Sequence, residues 1–558
     1  MTRPTPFPRR LPVALLLLAG CLTAPGGLLA QGDLEDNTVT VLSSFQANLD
    51  DAERILVQPS PPPADTSRRR QQYSVTARPL NIDYPAPVIR PRALGRDKTD
   101  EPHNGFARVG VGVPNQFFGD LSYDLTDLDN VDLGLFASHY SFNNNGKVEN
   151  QRSSDTRLGT EAAYLFDQGF TVGVGAAYET RSRYYYGYNF PLEGSEDTTD
   201  VSFTQDEVRQ RFNIFDIHGE IFNGTRTQGD FDYHAGAKLY LMDANPAVRE
   251  SGVDLEVAAT KWIDGKHPID FRVDADFTSY KDTVTQSLNN FSLEGAYTTS
   301  LDNRIRLRIG ARATNQSRTS DFDLFPDVSV SAPIIDGVLS AFAGIEGGLY
   351  KNTLRSLTDY NPWVRLRLRV RTSEYVNYHG GVEGTLYGIA YRAEVGYKDL
   401  DNIALYQLIQ DRVDPQFRVL YDDGSVTTFQ GSATLPVVEN LDLSATVAQR
   451  FYSLENEEKP WHLPSFSLNA AGIYSFVNYP LKVRGDFFLE NGLPFRNAAG
   501  EADNLNALLD LSLSVDYQLT DHLALWGRVN NLLNNQRQRF ARYPTLGTNF
   551  LVGVSTHF

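Results

Sequence analysis

From Gly105 to the end of the chain, apolar and polar side chains alternate with period two in one run after another. Ala107, Val109, Val111 and Val113 face one way, and Arg108, Gly110 and Gly112 the other. Phe271, Val273, Ala275 and Phe277 oppose Arg272, Asp274 and Asp276. Ile305, Leu307, Ile309 and Ala311 oppose Arg304, Arg306, Arg308, Gly310 and Arg312. Leu441, Leu443, Ala445 and Val447 repeat the pattern against Asp442, Ser444 and Thr446, as do Leu511, Leu513, Val515 and Tyr517 against Ser512, Ser514 and Asp516. Successive strand side chains point to opposite faces, so each run predicts a strand with one apolar and one polar face. A soluble sandwich alternates too, but with fewer strands and a scattered polar face. Here the runs approach the roughly 9–11 residues of a tilted bilayer crossing, and closure removes the edges that lipid cannot satisfy.

The connections test that topology. Tight candidates are Thr126–Asn130, Asp167–Gly169, Ile263–His267, Leu301–Asn303, Ile335–Gly337, Val438–Asn440, Val477–Tyr479 and Thr520–His522. Between them fall long polar stretches at Asn143–Asp155, Tyr186–Val208, Ser453–Trp461, Gly492–Leu505 and Asn534–Leu546. Short periplasmic turns and long outer loops are the arrangement of an outer-membrane barrel. With both chain ends periplasmic the strand number is even, and the count comes to about 22, a size class associated with plugged transporters. The fold class is therefore all-β: a large antiparallel transmembrane β-barrel over residues 105–558. The stretch 351–424 fits least well. Val364–Arg371 alternates as sharply as any strand, yet counting it separately breaks the phase, so it is read as the top of a long strand or an inward-folded hairpin.

Upstream the texture changes. Residues 1–30 read as a signal peptide, with Arg3, Arg9 and Arg10 before the apolar Leu11–Leu18. Either cleavage follows Ala30, or Leu18-Ala19-Gly20-Cys21 acts as a lipoprotein box and Cys21 carries a lipid. Residues 31–104 are proline-rich (Pro61, Pro62, Pro63, Pro85, Pro87) and predict a short extended periplasmic or lumenal segment without a core. The formal charge is −18, which makes nucleic acid a poor partner. Cys21 is the one cysteine, excluding disulfides and thiolate metal sites.

The last strand, Gly547–Phe558, places Phe550, Val552, Val554, Thr556 and Phe558 on one face and ends on an aromatic. It resembles the C-terminal signal read by the barrel-assembly machinery, which with outer-membrane lipid is an expected partner. Together with Leu511–Thr520, the run Leu525–Leu533 containing Asn530-Asn531-Leu532, Tyr543-Pro544 and Gly547, it resembles the barrel of TonB-dependent receptors. That resemblance extends diffusely upstream to Gly105 and implies a transport or channel barrel for a small solute. The alternative is a non-transporting scaffold of an envelope assembly. The chain departs from the family before the barrel, where 74 residues (31–104) stand in place of a longer folded plug. Thr38, Val39, Thr40, Val41 and Leu42 faintly resemble the box that offers a strand to TonB, a β-augmentation contact; the segment 31–104 could instead engage another periplasmic protein.

Candidate chemistry is sparse. The nine histidines are dispersed without zinc-site spacing, and no glycine-rich phosphate loop opens a helix. The reading is no enzyme, no metal and no cofactor. The most specific feature is a pair of arginine ladders expected to face the lumen, Arg304/Arg306/Arg308/Arg312 and Arg365/Arg367/Arg369/Arg371. Such ladders favour anions, unless they pair with acidic neighbours such as Asp270, Asp274, Asp276 and Glu294. The cluster Tyr184-Tyr185-Tyr186 and Tyr188 is expected in the interfacial girdle or at the base of an outer loop.

Overall fold

The computed structural model describes residues 103–558 apart from 193–200, 245–246, 303, 318–321, 411–413 and 439. Twenty-two strands, each antiparallel to the next, form one closed sheet. Closure joins the first strand, Gly105–Val113, to the last, Asn549–His557, with Val109 opposite Val554. The Gly105 and Phe558 backbones exchange hydrogen bonds of 2.7 and 3.0 Å at the end of that seam. Every strand thus has two partners, the condition for a backbone in hydrocarbon.

Facing obeys the alternation. Val109, Val111, Val113, Leu255, Val257 and Phe271 all point outward and are exposed. An apolar band of this extent is unfavourable in water and natural against lipid. The aromatics Tyr164, Tyr387, Tyr474, Phe476, Tyr479 and Tyr517 stand exposed toward the end where the chain termini of the barrel meet, as a girdle does. Phe550, Val552, Val554 and Phe558 of the terminal strand belong to the outward face. Inside the same seam Trp526 lies over Gly110, where a Cβ would come within 2.4 Å of the indole, and Arg108 stacks on it at 4.3 Å while pairing with Asp516. Short strands of 8 and 9 residues make this side of the wall, against 20 and 22 for Ile389–Leu408 and Phe417–Val438 further round the ring.

All eight tight turns fall at the seam end of the barrel, and residues 224–230 and 387–388 supply two further connections there. The five long stretches fall at the other end, which also carries the short connections 114–115 and 282–284. The Asn530-Asn531 pair has a definite structural task. Asn531 adopts a left-handed backbone (φ 50°), and its side chain donates to the Asn535 and Leu546 carbonyls and accepts from the Asn535 amide. It therefore shapes the whole 531–548 loop. Asn531→Ala is expected to lower the stability of that loop by about 1–3 kcal/mol, because three partly buried backbone groups lose their bond to it. Faster amide exchange across 531–548 with an unchanged barrel wall would be the signature.

Candidate functional site: the capped mouth

The wall is interrupted at one hairpin. Leu339–Asn352 pairs with its earlier neighbour, Phe322–Ile335, only as far as Asp327 opposite Glu346. Beyond that point it pairs solely with Arg371–Leu386, from Gly347 opposite Val376 to Asn352 opposite Arg371. The abandoned end of the neighbouring strand leaves Phe322 and Leu324 exposed at 70% and 65%. The freed hairpin turns into the lumen. Its Lys351 ammonium reaches Asp254 at 3.1 Å and Asp276 at 2.9 Å on the inner wall. Thr372 donates to Asn290, and Gly348 lies where a Cβ would sit 2.7 Å from an Arg312 nitrogen. Gly347-Gly348 thus permits a close approach that a side chain would block.

The tip of the hairpin, residues 353–370, is a helical turn followed by an extended run. Leu354–Tyr360 starts at Thr353, whose hydroxyl accepts from the Ser356 amide. The Glu250 carboxylate, 2% exposed, accepts from the Leu354 and Arg355 amides at 2.5 and 3.1 Å and from the Tyr240 hydroxyl at 3.0 Å. The Arg355 guanidinium grips Asp216 with two bonds of 2.6 and 3.1 Å, and Asp359 pairs with Arg181. The extended run is stitched on both sides: Tyr280 and Gln286 bond the backbone of 366–370, Phe417 bonds that of Trp363 and Arg365, and the Tyr421 hydroxyl donates to the Arg369 carbonyl.

This tip is the centre of a continuous apolar cluster that draws on loops from all round the ring. Trp363 stacks on Tyr543 with centroids 4.1 Å apart, and Tyr186 and Phe540 meet Trp363 edge-on. Val364, Leu366, Leu368 and Val370 are 0–7% exposed within it, with Phe417, Leu493 and Phe495. Loops that leave the barrel on opposite sides can share one core only by crossing its opening. The mouth is capped. Tyr185, Tyr186 and Tyr188 are buried in this cap and not in a lipid-facing girdle.

His462 lies within the cap, 1% exposed, between the rings of Phe417 and Phe540. Its Nδ1 donates to the Tyr406 carbonyl at 2.6 Å and its Nε2 accepts from the Ala541 amide at 3.2 Å, an arrangement that requires the neutral ring. Burial lowers its pKa from 6.5 to about 4. Between those values an opened cap binds a proton that the closed cap refuses. Cap stability is therefore complete above about pH 6.5 and declines as pH falls toward 4, by up to about 3 kcal/mol. Amide protection factors of residues 406–409 and 416–417 should fall from pH 7 to pH 5, and His462→Gln should flatten that dependence.

The arginine ladders part company. Arg308 pairs with Asp270, with Glu294 at 3.1 Å and with Asp327 at 2.7 Å, and Arg312 shares Glu294 at 2.5 Å. Arg304 meets Asp336 in the turn end of the wall, while Arg306 opens onto a lumenal recess of about 560 Å³ with Asp270 and Asp232. The run that carries the second ladder takes the inward-folded hairpin alternative, not the long strand. Asn352 and Arg371 pair directly, so no sheet position remains for Arg365, Arg367 and Arg369, which belong to the cap. Arg371 begins a wall strand and donates to Asn402. Sequence reasoning missed Glu250, Tyr280, Lys351 and Trp363, since nothing local distinguishes a wall residue that holds a cap. The leader, Cys21 and Thr38–Leu42 lie outside the described residues.

No family model matches the chain, and no curated protein matches it. Solved structures do. The ferripyoverdine receptor of the outer membrane of Pseudomonas aeruginosa superposes with a TM-score of 0.62 at 13% identity, over 83% of this chain and 73% of that one. A mutant ferric enterobactin receptor from the same organism gives 0.61 at 12%, over 82% and 80%. The siderophore receptor PirA from Acinetobacter baumannii gives 0.60 at 11%, over 81% and 80%. The chain has their barrel fold. It is a 22-stranded antiparallel barrel of the outer-membrane type.

Proposed function

We propose that this chain is a gated transport barrel of the outer membrane, passing a small solute when the 353–370 tip withdraws from the mouth. The observation that carries the reading is the inward hairpin. A scaffold has no use for a wall strand that leaves its neighbour to hold a lid, whereas a pore needs a lid that can be held and released. The polar, charge-paired inner wall below it suits an aqueous path. The solved relatives are named as siderophore receptors, and a compact iron chelate is one solute this route would suit. Residues 31–104 serve in this reading as the coupling tail, with Thr38–Leu42 as the strand offered to TonB or to another periplasmic protein. Phe550, Val552, Val554, Thr556 and Phe558 serve as the strand read by the assembly machinery.

The test is solute leak from liposomes. A barrel lacking residues 31–104, with 353–370 replaced by a short Gly-Ser linker, is expected to leak small sugars that the full chain retains. Liposomes that stay sealed with both segments removed would defeat the transport reading and favour a scaffold.

A further inference from the structure

We infer that Arg365, Arg367 and Arg369 form a prepared docking row for a multivalent oxyanion on the face of the 364–370 run turned away from the cap core. Most arginines described here end on a carboxylate; Arg308, Arg312, Arg355 and Arg392 each do so. These three form no ion pair among the described residues, and Arg367 and Arg369 are exposed with Arg365 half-buried. Their alternation partners explain the direction. Val364, Leu366, Leu368 and Val370 sink into the cap core, so the guanidiniums of the intervening residues are turned away from it.

The row is rigid before any ligand arrives. Its backbone is bonded to Tyr280 and Gln286 on one flank and to Phe417 and Tyr421 on the other. Residues two apart on an extended chain stand about 6.6–7 Å apart, which spaces the planar forks of Arg367 and Arg369, while Arg365 joins them from across the bend at Leu366. Ordering that would otherwise oppose binding is already complete in the folded cap. At the row's end a recess of about 340 Å³ is lined by Arg369, Arg371, Gln286, Thr283, Val284 and Asp282. Asp282 is the one carboxylate there; its Oδ1 accepts from the Val284 amide at 2.7 Å. Arginine forks match the paired oxygens of phosphate and carboxylate groups. The chemistry is shared by a soluble polyanion and by a phosphorylated glycolipid of the surrounding leaflet.

The inference builds on the transport reading, since it names what the closed mouth would first capture, but binding is measured without opening the gate. Full-length protein in detergent micelles is titrated with inorganic tripolyphosphate, and in nanodiscs with and without lipopolysaccharide. Binding should weaken steeply with salt. The triple variant R365Q/R367Q/R369Q should lose at least about tenfold in affinity, one fork–oxyanion contact being worth that much or more, and Asp282→Asn should tighten binding. Heat-modifiability on gels confirms that each variant is folded, as the three side chains lie outside the core. Row-dependent binding in micelles identifies a soluble ligand; row-dependent binding only with lipopolysaccharide identifies the lipid. Absence of binding in both settings, or binding that the triple variant keeps, overturns the inference. Binding without liposome leak would keep the row and sink the gate.

Discussion

Tyr543→Ala should open the cap while leaving the barrel closed. Tyr543 is 1% exposed, stacks on Trp363, meets Tyr186 edge-on at 5.1 Å, and donates its hydroxyl to the Pro415 carbonyl. Removing a ring of this size from a packed core costs about 3–5 kcal/mol, and the stranded carbonyl adds to it. The cap cannot collapse to recover the loss, because its segments are tied to different strands around the ring. The wall does not share the damage: its hydrogen bonds run strand to strand and none passes through Tyr543. Amides of 185–190, 363–370 and 540–543 should lose protection together, with the gel mobility of the unheated barrel unchanged. Protection that persists in the variant would mean the loops hold independently and share no core.

The second large effect is expected at Glu250. A carboxylate 2% exposed holds two amides at the start of the Leu354–Tyr360 turn, where the aligned peptide groups favour negative charge. Glu250→Ala leaves those amides and the Tyr240 hydroxyl without their acceptor, at about 3–5 kcal/mol, the range for breaking a buried charged contact. Glu250→Gln keeps one acceptor and should cost roughly half as much. The start of the helical turn would then be tied to the wall by Lys351 and the Arg355 and Asp359 pairs alone, so the tip should fray from that end first. Trypsin provides the readout, since Arg367 and Arg369 are exposed and Arg365 half-buried, yet all three lie in a backbone clamped by Tyr280, Gln286 and Phe417. Cleavage there should rise sharply in Glu250→Ala and moderately in Glu250→Gln. Equal resistance in all three proteins would show that Glu250 is not the latch.

Both effects concern residues to which the sequence assigns no role, and the reason is geometric. Glu250 and Leu354 are separated by 104 residues, Tyr543 and Trp363 by 180; neither pair leaves a local trace. By contrast, Arg308 and its partners Glu294 and Asp327 sit on adjacent strands, with Asp270 one strand further, and the alternation already places them on one face, so their proximity follows from strand order. The run Val364–Arg371 shows how the same period misleads. Its alternation is real and does bury one face, but the apolar side meets the cap and not lipid. Period two reports that a segment is extended with two unlike sides; it does not report what either side faces.

Sequence alone determined the barrel. Residue facing, turn spacing and the even count follow from a local repeat that lipid imposes on every crossing, and the final strand is legible because Phe550–Phe558 must present the same apolar face as the rest. Only the tertiary structure decided that the mouth is closed, which hairpin leaves the wall to close it, and which side chains hold it. Those contacts join segments far apart along the chain, and their energy lies in packing and hydrogen-bond geometry that no run of residues encodes by itself.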